Sequence, residues 1–353
     1  MMVSFAHSDV DQSGGGMLAE AAQAAEVTRR QLVWWAGSSQ HLQDKLRAFV
    51  PLQVATCGRG SSGHAACYAK HLIETLIRLP VMSYSPSTSS IYDVEMAGLE
   101  RTLFLVISQS GQSSDILLSA KAAKNAGALV CAIVNDELSP LADIADITIP
   151  LLAGPETSVA ATKTYIASLF TILMLAASWA KDPDLLAAAS RLPDLLAEAW
   201  AMDWSEGTAR LAQARNMYVI GRGPTLGIAK EAALKLKETC GIHAEAFSEA
   251  EVRHGPMELV TRDFPVLLLV PGDRASTGFN SLVEDFVARG AVVMVAGARY
   301  PGTVQLPTVA HVHAQVSAIC LIQSFYRMAA HISMARGLDP DQPAYLRKVT
   351  DTL

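Results

Sequence analysis

The chain repeats itself. Gly58-Arg59-Gly60 recurs as Gly221-Arg222-Gly223, an offset of 221 − 58 = 163. Leu103-Phe104-Leu105-Val106 recurs as Val266-Leu267-Leu268-Leu269, and Gly127-Ala128-Leu129-Val130 as Gly290-Ala291-Val292-Val293, at the same offset of 163. A constant spacing through three elements implies two copies of one unit. Each copy alternates short β-prone runs with helical spacing, which predicts α/β domains with parallel, doubly wound sheets. In the first copy strands are expected at 52–57, 81–84, 103–107, 128–134 and 147–151, and helices over 62–77, 91–99 and up to Asn125. Residues 1–48 read as a disordered start and a helical arm, 49–181 as the first domain, 182–213 as a helical linker, 214–336 as the second domain and 337–353 as a tail. Trp34 and Trp35 read as packing the arm on the body.

A chain of 353 residues, half of them hydrophobic and 18% charged, can build a sizeable core in each copy. Its net charge of −6 argues against a nucleic-acid or anionic-membrane partner, though a local pocket can still attract phosphate. Cys57, Cys67, Cys131, Cys240 and Cys320 form no CxxC pair and read as thiols of a reducing compartment. The start shows no signal-peptide pattern, and the apolar run 167–180 is shorter than a bilayer span of ~20 residues. These features predict a cytoplasmic protein.

The two copies differ where chemistry would occur. In the first, the strand ending at Ile107 is followed by Ser108-Gln109-Ser110-Gly111-Gln112-Ser113-Ser114 and then a helix. A strand-to-helix turn of this kind lies at the carboxyl edge of a parallel sheet, where ligands bind and helix N–H groups face them. Its neutral donors suit a phosphate, while plain capping by Ser113 or Ser114 fits the same residues. The second copy has Val270-Pro271-Gly272-Asp273-Arg274 instead, without serines. Gly58-Arg59-Gly60-Ser61-Ser62-Gly63 matches the dinucleotide fingerprint, but the following strand runs into serines and lacks the acidic residue that would hold a ribose. No nicotinamide cofactor is therefore expected, and Ser61 and Ser62 remain donors for a sugar or phosphate.

Glu231, Lys235 and Glu238 fall on one helical face. That spacing fits a solvated, salt-bridged stripe, and it also fits a carboxylate base whose pKa a lysine controls. His254 stands in Arg253-His254-Gly255-Pro256, beside a helix-breaking turn, and could exchange a proton near neutral pH. The loop Glu156-Thr157-Ser158 precedes another helix, with Thr157 or Ser158 as its expected cap. His311 and His313 form an H-x-H pair without further ligands at metal spacing, so no metal is expected.

Taken together, Ser108-Gln109-Ser110-Gly111, Leu234-Lys235-Leu236-Lys237-Glu238, Arg253-His254-Gly255-Pro256 and the tail Asp341-Gln342-Pro343 with Lys348 resemble the double sugar-isomerase (SIS) proteins. Similarity is strongest to the isomerase half of glucosamine-6-phosphate synthase. The resemblance implies two tandem SIS domains with the tail over the site. It implies that Ser108, Gln109, Ser110 and Ser113 bind the sugar phosphate, with Ser61 and Ser62 assisting and the Val159 backbone touching the sugar. It further implies that Glu238 shuttles a proton between C1 and C2, with Lys235 and Glu231 beside it. His254 would open the ring in a neighbouring subunit of a homodimer, and Lys348 would close over the sugar and could form an imine. The family uses no cofactor.

Two departures resemble the shorter, glutaminase-free type II glucosamine-6-phosphate deaminases: Arg59-Gly60-Ser61-Ser62 in the first turn and Lys348-Val349-Thr350 in the tail. The expected reaction is conversion of glucosamine 6-phosphate and water to fructose 6-phosphate and ammonia. Rivals are a galactosamine-6-phosphate deaminase/isomerase, a fructosamine-6-phosphate deglycase and a non-catalytic sugar-phosphate sensor.

Overall fold

A computed structural model describes residues 16–310 and 312–348; the expected disordered start, His311 and Val349-Thr350 fall outside these residues. Among the described residues, ten strands build two five-stranded sheets. The first contains β1 (Gln53–Cys57), β2 (Val81–Ser83), β3 (Thr102–Ile107), β4 (Leu129–Val134) and β5 (Ile147–Pro150). The second contains β6 (Asn216–Gly221), β7 (His243–Ser248), β8 (Pro265–Leu269), β9 (Val292–Ala296) and β10 (Val304–Leu306). Their orders, β2-β1-β3-β4-β5 and β7-β6-β8-β9-β10, are the same topology, and every pairing is parallel. The chain is thus a duplicated α/β fold.

Strand register corrects the repeat in one place. Ala55 pairs with Phe104, and Phe104 with Val130. In the second sheet Tyr218 pairs with Val266, and Val266 with Val293. The outer members keep the offset of 163, but the central strands correspond at 266 − 104 = 162. Both central strands are buried on both faces and read as unbroken apolar runs, so they carry no alternation that would fix their phase.

Most of the core lies between the sheets. Helices Ala24–Phe49, Gly60–Leu72, Lys163–Ala180, Leu226–Cys240 and Ala314–Ala335 contribute to one continuous apolar cluster there. Smaller clusters cover the outer face of each sheet. Lys163–Ala180 has the length and hydropathy of a membrane span, but 89% of it is buried inside the fold. The arm runs on to Phe49, and Trp35 is buried against the core with Trp34 edge-on at 5.3 Å. Segment 91–99 is not helical: a short helix, Ser87–Ser90, precedes it, and Asp93 and Gly98 adopt positive φ, which interrupts a helix. All five cysteines are free, four of them buried, and burial pushes the Cys57, Cys131 and Cys320 thiols up to about 12.

One helix crossing sets the geometry of the site. Gly60–Leu72 follows β1 and Leu226–Cys240 follows β6, so they are counterparts in the two copies. They meet at Gly227, where a Cβ would lie 2.7 Å from the His64 carbonyl oxygen and 3.1 Å from the Tyr68 nitrogen. Only glycine permits this approach. It brings the amino end of one helix against the acidic face of the other.

Candidate active site

In the first sheet the order reverses between β1 and β3, and open parallel sheets bind ligands at the carboxyl end of such a switch point. Two turns meet there. A Cβ on Gly58 would lie 3.1 Å from the Ile107 carbonyl oxygen, tighter than an ordinary contact, so the turn after β1 packs closely on the end of β3. Across this contact Arg59 Nε donates to Asp115 Oδ2 at 2.8 Å. Asp115 is fully buried in the first helical turn after the serines, and Arg59 neutralises a carboxylate that would otherwise repel an anion. Gly111 has φ +62, and a Cβ there would lie 2.3 Å from Ser139 Oγ. Its N–H donates to Ser108 Oγ, which curls the turn. Ser113 occupies the cap position of helix Ser114–Asn125, yet its hydroxyl makes no capping hydrogen bond. That hydroxyl is therefore available to another acceptor.

Ser110→Ala and Ser113→Ala are each expected to weaken binding of a sugar phosphate by roughly 10- to 100-fold, since a hydrogen bond to a charged group is worth about 1.5–3 kcal/mol. Titration with inorganic phosphate and with glucosamine 6-phosphate would measure this. Unchanged affinity in both variants would place the phosphate elsewhere.

Facing these turns, the second copy supplies buried charges. Glu231 is fully buried, Lys235 is 1% exposed and Glu238 is 20% exposed. Burial and pairing rule out a solvated stripe. Lys235 Nζ lies 2.5 Å from Glu238 Oε2 and 3.4 Å from Glu231 Oε1. Glu231 also accepts from Ser61 Oγ at 2.9 Å and from the Tyr326 hydroxyl at 3.4 Å, and it contacts His64 Nδ1 at 2.9 Å. Burial pushes the Glu231 carboxyl up, but the Lys235 charge and the His64 and Ser61 bonds outweigh it and leave the pKa below the ordinary value. For Glu238 burial wins over Lys235, and its pKa is raised. Lys235 loses stability as a cation through burial, yet the two carboxylates hold its pKa above the usual amine value. One carboxylate is thus locked as an anion, and the more open one is a stronger base than an ordinary glutamate.

A third group closes on the site from the chain ends. Lys348 Nζ donates to the Ser158 carbonyl oxygen at 2.7 Å and lies 3.4 Å from Glu156 Oε2. Neither Thr157 nor Ser158 caps the next helix. Buried Glu156 accepts the N–H groups of Thr162 at 2.9 Å and Thr164 at 3.2 Å and so satisfies that helix start. The Thr157 and Ser158 N–H groups instead donate to Glu20 of helix Met17–Ala22, at 2.5 and 3.2 Å. The Val159 N–H points to the Asp341 carbonyl oxygen of the tail at 3.5 Å. Tyr326 connects this group to the buried cluster: its phenol is held well above its ordinary pKa by burial, with the charges of both Glu231 and Glu156 adding to the effect.

The fold therefore brings Ser61 to Glu231, Glu231 and Glu238 to Lys235, and Lys348 to the loop bearing Val159. Ser62 is half-buried in the first turn of its helix, and Gln109 and Ser110 are half-buried in the serine turn. His254 is exposed on a turn beyond β7 and is not part of the Glu231 cluster of its own chain. Sequence reading passed over Arg59, His64, Asp115, Glu156 and Tyr326. Only His64 had a local signal, since it lies on the helical face of Ser61 at i+3.

A duplicated parallel α/β fold with a phosphate-type turn in one copy and buried acid–base groups in the other defines the class. The SIS-domain family profile matches residues 52–178 and 210–331, and the chain belongs to that family. Among named relatives, glutamine-fructose-6-phosphate aminotransferase (isomerizing) of Thermococcus kodakarensis is 34% identical over 310 residues, covering 82% of this chain and 50% of that protein. The chain thus spans about half the length of the curated relatives it matches. A Silicibacter pomeroyi protein provisionally assigned as a phosphosugar isomerase is 41% identical with a TM-score of 0.88, covering 92% of this chain and 99% of that one. The C-terminal domain of glucosamine-fructose-6-phosphate aminotransferase from Francisella tularensis is 25% identical with a TM-score of 0.83, covering 93% and 98%.

Proposed function

We propose that the protein is a sugar-phosphate isomerase that deaminates glucosamine 6-phosphate to fructose 6-phosphate and ammonia. The observation that carries this reading is the buried Glu231–Lys235–Glu238 cluster set against the serine turns of the other copy. The serine turn anchors the phosphate, and the open-chain sugar then places C2 beside Glu238. Glu238, which is 20% exposed, removes the C2 proton, exchanges it with solvent and delivers a solvent-derived proton to C1, so the C2 amine becomes an imine. Water adds to that imine, the C2–N bond breaks, and ammonia leaves a ketone. Holding the base and the anchored substrate together supplies both proximity and proton transfer. Lys348 closes the loop at Ser158 over the sugar. A homodimer belongs to the same proposal, with the exposed His254 turn available to a neighbouring site.

Ammonia release measured across glucosamine, galactosamine and fructosamine 6-phosphates tests the reading. Turnover of glucosamine 6-phosphate above the other two is expected, without added metal or nicotinamide. Preference for another amino sugar phosphate would reassign the substrate. No ammonia from any of them would remove the deaminase reading.

A further inference from the structure

We infer that Glu20, on the short helix Met17–Ala22 ahead of both sheets, is a positioning residue of the site: it sets the loop that holds the sugar, while the serine turn holds the phosphate. The inference rests on the sugar-phosphate reading above and deepens it. The SIS profile begins at residue 52, so this helix lies outside the matched repeat, as do Asp341 and Lys348 of the tail. Both outlying segments converge on the loop 156–162. Glu20 is 3% exposed and takes three donors from two consecutive residues of that loop. Its Oε1 accepts from the Thr157 N–H at 2.5 Å and from the Thr157 hydroxyl at 3.0 Å, and its Oε2 accepts from the Ser158 N–H at 3.2 Å. The Ser158 carbonyl oxygen accepts from Lys348. One residue is thus gripped through its N–H by the amino-terminal helix and through its carbonyl by the tail. Val159, expected to touch the sugar through its backbone, follows directly.

A helix this short can place a loop only if it is itself held. Gln323 Nε2, on helix Ala314–Ala335 of the second copy, donates to the Ala21 carbonyl oxygen at 3.0 Å, and buried Lys163 donates to Gln23 Oε1 at 2.7 Å. The Met17 N–H donates to Asp341 Oδ1 at 2.6 Å, and the carbonyl oxygen of the same Asp341 faces the Val159 N–H at 3.5 Å. Helix, loop and tail therefore form one hydrogen-bonded unit whose middle member bears Val159. The loop has no strand partner to satisfy its N–H groups, and Glu20 does so instead.

Glu20→Gln keeps the shape of the side chain but cannot keep its bonds. Both carboxyl oxygens accept backbone N–H groups, so either orientation of the amide turns its own NH2 toward one of them. Variant and native protein are compared for affinity toward inorganic phosphate and fructose 6-phosphate, and for turnover of glucosamine 6-phosphate. Phosphate affinity should stay within about twofold, since the serine turn is untouched. Affinity for fructose 6-phosphate should fall about tenfold and turnover about 10- to 100-fold, as a small misplacement of the bound sugar would cause. Glu20→Asp keeps both acceptors on a shorter arm and should recover part of each loss, and it carries the comparison if the amide variant does not fold. Unchanged affinity for both ligands, or equal weakening of both, would overturn the positioning role, because plain support of the fold does not distinguish a sugar from its phosphate. If the native protein released no ammonia, the deaminase reading would fall, while the two affinities would still decide the role of Glu20.

Discussion

Glu238→Gln is expected to lower turnover of glucosamine 6-phosphate by about 10²–10⁴-fold while leaving its affinity close to native. The amide keeps the shape of the side chain and can still accept from Lys235, but it cannot take the C2 proton at neutral pH. On the proposed reading the phosphate is held by the other copy of the fold, so binding should not depend on Glu238. A pH signature should accompany the loss. Burial raises the Glu238 pKa despite the neighbouring Lys235, and a base works only when deprotonated. Native activity should therefore fall on the acid side at a higher pH than an ordinary glutamate would give. Steady-state kinetics of both proteins would check these points, and turnover within a few-fold of native would remove the catalytic assignment.

Lys235→Met should destabilise the fold by about 3–5 kcal/mol at neutral pH, the range for removing one partner of a buried ion pair. Methionine fills a similar volume, so the loss would come from charge and not from a cavity. Lys235 is 1% exposed between Glu231 and Glu238, and without it both carboxylates would be left close together with little neutralising charge. The sign with pH follows. Glu231 has a lowered pKa in the fold, so its contribution is present above its unfolded pKa and fades as pH falls through the folded value. Lys235 has a raised pKa, so its contribution is complete below the unfolded value and fades as pH rises through the folded one. The variant should thus come closer to native stability as acid protonates the carboxylates. Urea unfolding at neutral and mildly acidic pH would measure both effects. A deficit under ~1 kcal/mol, as for an exposed pair, would contradict the burial argument.

The duplicated sheet was legible because its glycines mark turns that backbone geometry favours: Gly221 leaves no room for a Cβ where a strand enters its helix, and Gly58 leaves only a tight one. The serine turn was legible for the same reason, through Gly111. The one-residue slip of β8 was not, since an apolar run buried on both faces has no period to read. Periodicity placed Glu231, Lys235 and Glu238 on one face, but it could not say whether that face met water or the other copy. Gly227 decided that, and its partner atoms lie in the helix of the other copy, where no local pattern reports them. Arg59–Asp115, His64–Glu231 and Lys348–Glu156 are likewise contacts between distant segments. Capping was misread at Thr157 and Ser158 because the acceptors that the helix start and the loop needed were Glu156 and the distant Glu20.

The central claim is that a carboxylate of the second copy moves a proton between two carbons of a sugar phosphate held by the first. Conversion of glucosamine 6-phosphate in deuterium oxide, followed by NMR, tests it most directly. The native protein should yield fructose 6-phosphate carrying solvent deuterium at one C1 position, and Glu238→Gln should yield none. Fructose 6-phosphate free of solvent label, or equal labelling by both proteins, would contradict the account.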